Sequence, residues 1–249
     1  MRFGAGEAAI LRAEAAARWG LELPAATLAQ FCAFGDLLAE WNKKMNLTAI
    51  TEPADVVRKH FLDSLAFLPY LRAAVSPGPP ERSLLLDLGA GAGFPGLPLK
   101  LAWSASEWIL GDSRQKRLLF LETVVAALSL RGVRVLGGRA EEWGRSAEWR
   151  GRLTCVTARA VAPLAVLVEY ALPLLRVGGV LLAAKGPAAG EEAERARRAL
   201  CLCGGEIGEI VDCTPAEAAE RRLLVRIIKT RETPDLYPRP PGRPAKHPL

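Results

Sequence analysis

Residues 84–100 read LLLDLGAGAGFPGLPLK. The stretch runs from hydrocarbon into an acid, Asp87, then into three alternating glycines, Gly89, Gly91 and Gly93, and then two prolines. Glycine is used where the backbone takes positive φ or where something must approach it closely. In an open α/β sheet the first strand-to-helix turn faces the crevice where ligands bind, at the switch in strand order. This turn, more than any other feature, limits what the chain can fold into.

The flanking sequence agrees. From Leu84 onward, short leucine-rich or β-branched runs alternate with helical stretches. Strands are predicted at 84–88, 107–111, 133–137, 153–158, 179–184, 205–213 and 222–229, with helices at 96–103, 114–130, 162–172 and 190–203. Strands that alternate with helices pair in parallel and form a doubly wound sheet. The last two strands lack a crossover helix and are expected to pair antiparallel. Residues 5–73 read as helical, with Thr27 as an N-cap and Pro53 in a first turn. SPGPPERS at 76–83 reads as a linker. The division that follows is a helical region over 1–82, a sheet domain over 83–230 and a basic, proline-rich tail over 231–249. The tail is expected to be extended and solvated unless something holds it.

Two glycine frames compete. Gly91, Gly93 and Gly96 fit the dinucleotide spacing GxGxxG, whereas Asp87, Gly89, Gly91 and Gly93 fit DxGxGxG. A pyrophosphate needs free N–H groups at a helix N-terminus. Pro95 and Pro98 remove such donors here, and Asp87 adds a carboxylate. Those features favour a cationic, phosphate-free ligand, which S-adenosylmethionine is. Asp112 closes the second strand about 20 residues later, where an acid can accept from ribose hydroxyls. It also pairs with Gln115 as a capping box. Ala140 and Glu141 follow the third strand, where an adenine fits, although first-turn acids such as Glu141 also complement a helix dipole.

Methyl transfer from a sulfonium is an in-line displacement, so alignment is the main requirement. The Asn/Asp-Pro-Pro-aromatic tetrad that serves exocyclic amines is missing after the fourth strand; TCVTARAVAPL stands there. Cys155 is the candidate for a covalent adduct, but its mid-strand position reads as core. A ring nitrogen with a free lone pair, such as guanine N7, needs neither amine handling nor an adduct. Arg159 and Lys185, at the ends of the fourth and fifth strands, can hold a cofactor carboxylate, an RNA phosphate or a guanine O6. His60 and Asn46 are further candidates for positioning the substrate, and His60 reads equally as a satisfied helix residue.

Composition narrows the remainder. The 249 residues carry a formal charge of +6, with 25 arginines against 8 lysines. Arginine's planar fork suits phosphate, though a GC-rich genome gives the same bias. The tail cations Arg239, Arg243 and Lys246 are candidate RNA contacts. Five cysteines without a CxxC pair, and two histidines, argue against a disulfide framework or a metal site. No apolar run is long enough to span a membrane, and the first residues do not read as a signal peptide, so a cytoplasmic location is expected.

The segments NKKMNLT at 42–48, RKHFLDSL at 58–65, LDLGAGAGFPGLPL at 86–99 and DSRQKRLLFL at 112–121 closely resemble one family. So do GRAEEW at 138–143, ARA at 158–160, AAKGP at 183–187 and the ending GRPAKHPL. The family is that of the bacterial glucose-inhibited division protein B, ribosomal small-subunit methyltransferases that act on guanine N7 of 16S ribosomal RNA. The resemblance implies a seven-stranded, Rossmann-like methyltransferase sheet with S-adenosyl-L-methionine as donor and S-adenosylhomocysteine as product. Its substrate would be 16S ribosomal RNA or a small-subunit particle, and the enzyme a monomer. By motif it implies cofactor contacts at Gly89, Phe94, Asp112, Ser113, Arg114, Ala140, Glu141 and Arg159, with no assigned acid or base. The competing readings are a small-molecule methyltransferase and a cofactor-binding ribosome-associated protein without turnover.

Overall fold

The computed structural model describes residues 3–76, 83–214 and 221–249. The predicted linker at 76–83 and the TPAEAAER turn at 214–221 lie largely outside them.

Seven strands form one sheet: β1 (Leu84–Leu88), β2 (Glu107–Asp112), β3 (Val133–Gly137), β4 (Leu153–Arg159), β5 (Leu175–Lys185), β6 (Gly205–Asp212) and β7 (Leu223–Lys229). Their order is β3-β2-β1-β4-β5-β7-β6, parallel from β3 through β5, with β7 antiparallel to both β5 and β6. The antiparallel close of the sheet is as expected from sequence. Strand order reverses between β1 and β4, which pair through Leu85 and Cys155. The crevice beyond their carboxyl ends is therefore the switch point.

Helices α1 (Ala5–Trp19) and α2 (Ala25–Met45) precede the sheet. α2 begins after Pro24, with no side-chain cap, so Thr27 is already inside the helix rather than at its N-cap. Asn46 ends it in a left-handed conformation (φ 49°), which asparagine tolerates better than most residues. The chain then turns, and α3 (Pro53–Val56) opens with Pro53 in its first turn, as predicted. It continues without a break into a π-helical turn (Val57–Leu62) and α4 (Asp63–Leu65), followed by α5 (Leu68–Val75). The helical stretch predicted from Pro53 is thus altered by the π turn and broken by a turn at residues 66–67.

Helices α6 (Gly96–Ala102), α7 (Gln115–Ala127), α8 (Ala140–Trp143) and α9 (Leu164–Ala171) follow successive strands. The helix predicted at 190–203 divides at Ala196 into α10 (Ala189–Arg195) and α11 (Arg197–Cys203). One hydrophobic cluster joins Phe31, Phe34 and Leu38 of α2, and Phe61 of the π turn, to Leu85, Leu97 and Phe120. A second covers the opposite face through Leu86, Ile109 and Val156 with Leu164 and Leu167. The tail is held on the domain rather than extended: Tyr237 is buried, and a short α12 (Arg243–Lys246) packs there through Pro244. Three arginine side chains, described below, hold it there.

Candidate functional site

Beyond the carboxyl ends of β1, β2 and β3 lies a cavity of about 150 Å³, lined among others by Gly89, Asp112, Ser113, Ala140, Glu141 and Tyr170. Gly89 opens the glycine turn onto it. Gly93 has φ +89°, and a Cβ there would lie 2.3 Å from Leu97 Cδ1, so only glycine fits. The Gly91 N–H donates to Asp112 Oδ2 at 3.0 Å, while the Arg114 N–H donates to Oδ1 at 2.8 Å and Arg117 Nη1 to Oδ2 at 3.3 Å. Asp112 therefore locks the turn to the start of α7. It does so as an Asx turn on Arg114, which is the N-cap, and not as a capping box with Gln115. Three bonds leave a carboxylate about one open lone-pair site, and Arg117, the longest of them, is the partner most easily displaced.

Asp87 is not part of the cavity wall. It is wholly buried beneath the turn, where it accepts from the Gly96 N–H at 2.8 Å and contacts Thr157 Oγ1 at 3.2 Å. Burial pushes its carboxyl up to about 7, against the hydrogen bonds from Gly96 and Thr157. A protonated Asp87 fits the geometry, because Thr157 Oγ1 also reaches the Leu86 carbonyl and can accept from the acid while donating there. The residue joins β1 to α6 and holds the turn from below. Its sequence-based assignment to the ligand is replaced by this supporting role.

A second basin of about 430 Å³ lies beyond β4 and β5, lined by His60, Asp63, Arg159, Ala160, Lys185 and Arg222 among others. Arg159 lines this second basin and not the first cavity. Its guanidinium donates to Asp63 Oδ2 at 2.8 Å, to the Lys59 carbonyl at 3.2 Å and to His60 Nδ1 at 3.0 Å, and lies 5.1 Å from the centre of the Phe94 ring. Arginine only donates, so Nδ1 of His60 carries a lone pair. Nδ1 also lies 3.1 Å from the Lys59 carbonyl; in the tautomer that accepts from Arg159, Nε2 bears the proton and donates to Thr48 Oγ1 at 2.8 Å. Burial, reinforced by the Arg159 charge, holds the imidazole down at about 3, so it is neutral at physiological pH. The ring also stacks on Phe94 at 4.5 Å. Phe94 is buried beneath the His60 ring and the Arg159 guanidinium.

The remaining candidates separate. Lys185 faces the basin, but its ammonium is held by Glu192 at 2.8 Å and the Ala162 carbonyl at 2.7 Å. Asn46 lines a different cavity, of about 320 Å³, among the N-terminal helices. That cavity is the more enclosed and apolar, but the polar groups converge elsewhere, and polar convergence is what chemistry requires. Arg114 is exposed at the start of α7. In the tail, Arg239 donates through Nε and Nη2 to the fully buried Glu169, at 2.9 and 2.7 Å. The expectation that it meets a phosphate is corrected: the charge neutralises a core carboxylate, whereas Arg243 and Lys246 face solvent. Cys155 is fully buried with its thiol pushed up by burial, which leaves no route to a covalent adduct. Sequence reasoning missed Asp63 and Thr48. The signal was present, since Asp63 lies three residues beyond His60 on one helical face. Among the described residues, no group of three acids, histidines or cysteines is placed to hold a metal.

Comparison with known proteins accords with this geometry. A family model of rRNA small subunit methyltransferase G matches residues 27–224. The chain is similar to the ribosomal RNA small subunit methyltransferase G of Desulfitobacterium hafniense, 45% identical over 232 residues that cover 93% of each protein. It is similarly 45% identical to that of Roseiflexus castenholzii over 236 residues, 94% of this chain and 97% of the relative. Among solved structures, the fold is like that of NSun6 from Pyrococcus horikoshii (TM-score 0.53, 16% identity, 69% of this chain and 52% of that one). It is also like that of the geranyl diphosphate C-methyltransferase from Streptomyces coelicolor (TM-score 0.50, 13% identity, 66% and 79%). The glycine turn, the sheet that ends antiparallel and the near full-length likeness all converge: the chain belongs to the rRNA small subunit methyltransferase G family.

Proposed function

We propose that this protein transfers a methyl group from S-adenosylmethionine to N7 of a guanine in 16S ribosomal RNA of the small subunit. The near full-length match to ribosomal RNA methyltransferases carries the reading. The two adjoining cavities support it: one has the glycine turn opening onto it and an acidic rim, the other is lined by donors. The first suits the cofactor, because Asp112 keeps an acceptor site for a ribose hydroxyl and the turn offers no phosphate cradle. Gly89, Ser113, Ala140 and Glu141 line the same cavity. The bound cofactor supplies an electrophilic methyl on a sulfonium. The N7 lone pair forms the new C–N bond while the C–S bond breaks toward sulfur. No proton is removed, which suits a site whose histidine is neutral and bonded at both ring nitrogens.

Arg159 has five donors, three of them taken. The two that remain can donate to whatever enters the basin that Arg159 lines, the guanine or the reactive end of the cofactor. Lys185, neutralised by Glu192, shapes the basin and contributes little free charge. The cytoplasm, where small subunits are assembled, is the location consistent with this substrate, and a monomer suffices for the chemistry.

The test is to incubate protein with methyl-labelled S-adenosylmethionine and small-subunit particles lacking this modification, then map the label. Label at guanine N7 is expected, and Cys155→Ala is expected to retain it. Label at a pyrimidine carbon, or binding of cofactor without incorporation, overturns the assignment. The latter outcome would favour a ribosome-associated binding protein.

A further inference from the structure

We infer that the C-terminal segment braces the cofactor cavity, with Glu141 as a positioning residue and Gly242 as its tether. The inference rests on the reading above that this cavity takes S-adenosylmethionine. Glu141 lines the cavity, yet it is almost fully buried and its Oε1 accepts from the Gly242 N–H at 2.8 Å. The Tyr170 hydroxyl lies close enough that, after burial, the Glu141 charge raises its pKa. Tyr170 lines the same cavity. The Glu141 carboxylate is thus committed to the tail. Recognition of an adenine amine at this position then falls to the backbone of Ala140 and Glu141, whose placement the carboxylate fixes.

The tail is attached to both helices that flank this end of the cavity. On the α8 side, Arg145 Nε donates to the Pro238 carbonyl at 2.8 Å. Arg150 donates to the carbonyls of Gly144, Tyr237 and Thr233 at 2.7, 2.8 and 2.6 Å. On the α9 side, Glu169, the neighbour of Tyr170, receives Arg239 through both side chain and backbone. Gly242 then carries a hydrogen bond from this anchored segment into the cavity wall itself. Its φ of +80° is open to glycine, and a Cβ there would meet nothing within 4 Å, so the conformation and not crowding defines the position. Prolines at 238, 240, 241 and 244 reduce the freedom the segment loses on docking.

The consequence is linkage: whatever orders this wall favours cofactor binding, and bound cofactor must in return hold the tail down. Gly242→Pro removes the donor and cannot adopt the positive φ, while the arginine anchors at 233–239 stay. Isothermal calorimetry with S-adenosylhomocysteine is expected to show affinity about tenfold weaker or worse, as loss of a hydrogen bond to a charged group implies. Affinity for small-subunit particles should stay within about twofold, because a phosphate-binding role would move that quantity instead. Hydrogen exchange on the parent protein provides a check that needs no variant. The Gly242 amide should gain protection when S-adenosylhomocysteine binds, and amides of the central strand should not. Unchanged cofactor affinity in folded Gly242→Pro, or Gly242 exchange indifferent to the cofactor, overturns the brace. A parent protein that binds no S-adenosylhomocysteine instead overturns the function proposed above.

Discussion

At the scale of single residues, the acids divide by what they already hold. Asp112 accepts from Gly91 and Arg114, so Asp112→Ala removes a turn lock as well as the candidate ribose acceptor. Calorimetry should show cofactor affinity down by about 1.5–3 kcal/mol, and the melting temperature should fall in the same variant. Loss of stability with affinity intact would leave only the lock. Asp87 and His60 give opposite pH dependences. The His60 imidazole, held at about 3 by burial and then by Arg159, takes up a proton on unfolding below its ordinary 6.5. Its contribution is complete above 6.5 and is lost as pH falls toward 3. Asp87, raised by burial to about 7 from an ordinary 3.8, holds its proton in the fold and releases it on unfolding. That contribution is complete below 3.8 and is lost as pH rises to 7. Asp87→Asn keeps an acceptor for Gly96 and removes the titration. Denaturant melts at several pH values should therefore show the stability of the variant, relative to the parent, rising with pH by about 1.4 kcal/mol per unit between roughly 4 and 7. A difference independent of pH would mean that Asp87 is ionised in the fold. The acid at the strand tip was legible in the sequence, but its direction was not. One residue register decides whether a carboxylate faces the crevice or the helix beneath it.

Among the elements, the strands were the most legible, because hydrocarbon runs between turn residues have few alternatives: β1 and β3 fall on the predicted residues. The helix ends were less so. Pro163 delays α9 to Leu164, and no residue type announces the break at Ala196. The π turn at Val57–Leu62 was invisible, since its sequence reads as ordinary helix. It nevertheless presents the Lys59 carbonyl, His60 and, just beyond, Asp63 to Arg159 together. Gly96, which sequence assigned to a rival phosphate frame, serves instead to pack α6 on the sheet. A Cβ there would lie 2.6 Å from Leu110 Cδ2 and 2.8 Å from both Asp87 Cβ and Oδ2. Gly96→Ala should cost about 1–3 kcal/mol by overpacking and by straining the bond to Asp87. Gly91→Ala, whose new methyl meets nothing closer than 3.7 Å, carries only the smaller penalty of φ +59°. Thermal melts that rank the two the other way would refute this account of the turn.

For the whole molecule, the sequence disclosed the family and the sheet and concealed what joins the parts. Nothing in a proline-rich, basic ending shows that Arg239 will meet a buried glutamate 70 residues away, because long-range pairing leaves no local periodicity. The same holds for the N-terminal helices. They read as a separate region, yet Phe31, Phe34 and Phe61 pack with Leu85 and Leu97 in one cluster, and His60 reaches Arg159 across it. That shared cluster has an evolutionary meaning. An enzyme that keeps its recognition module on a tether can trade it for another and so acquire a new substrate in one recombination event. Here the wall of the basin that the proposed function gives to the substrate is continuous with the core of the sheet domain. Exchanging it would unmake the core, so new specificity in this lineage must arrive by substitution around the basin rim, one side chain at a time.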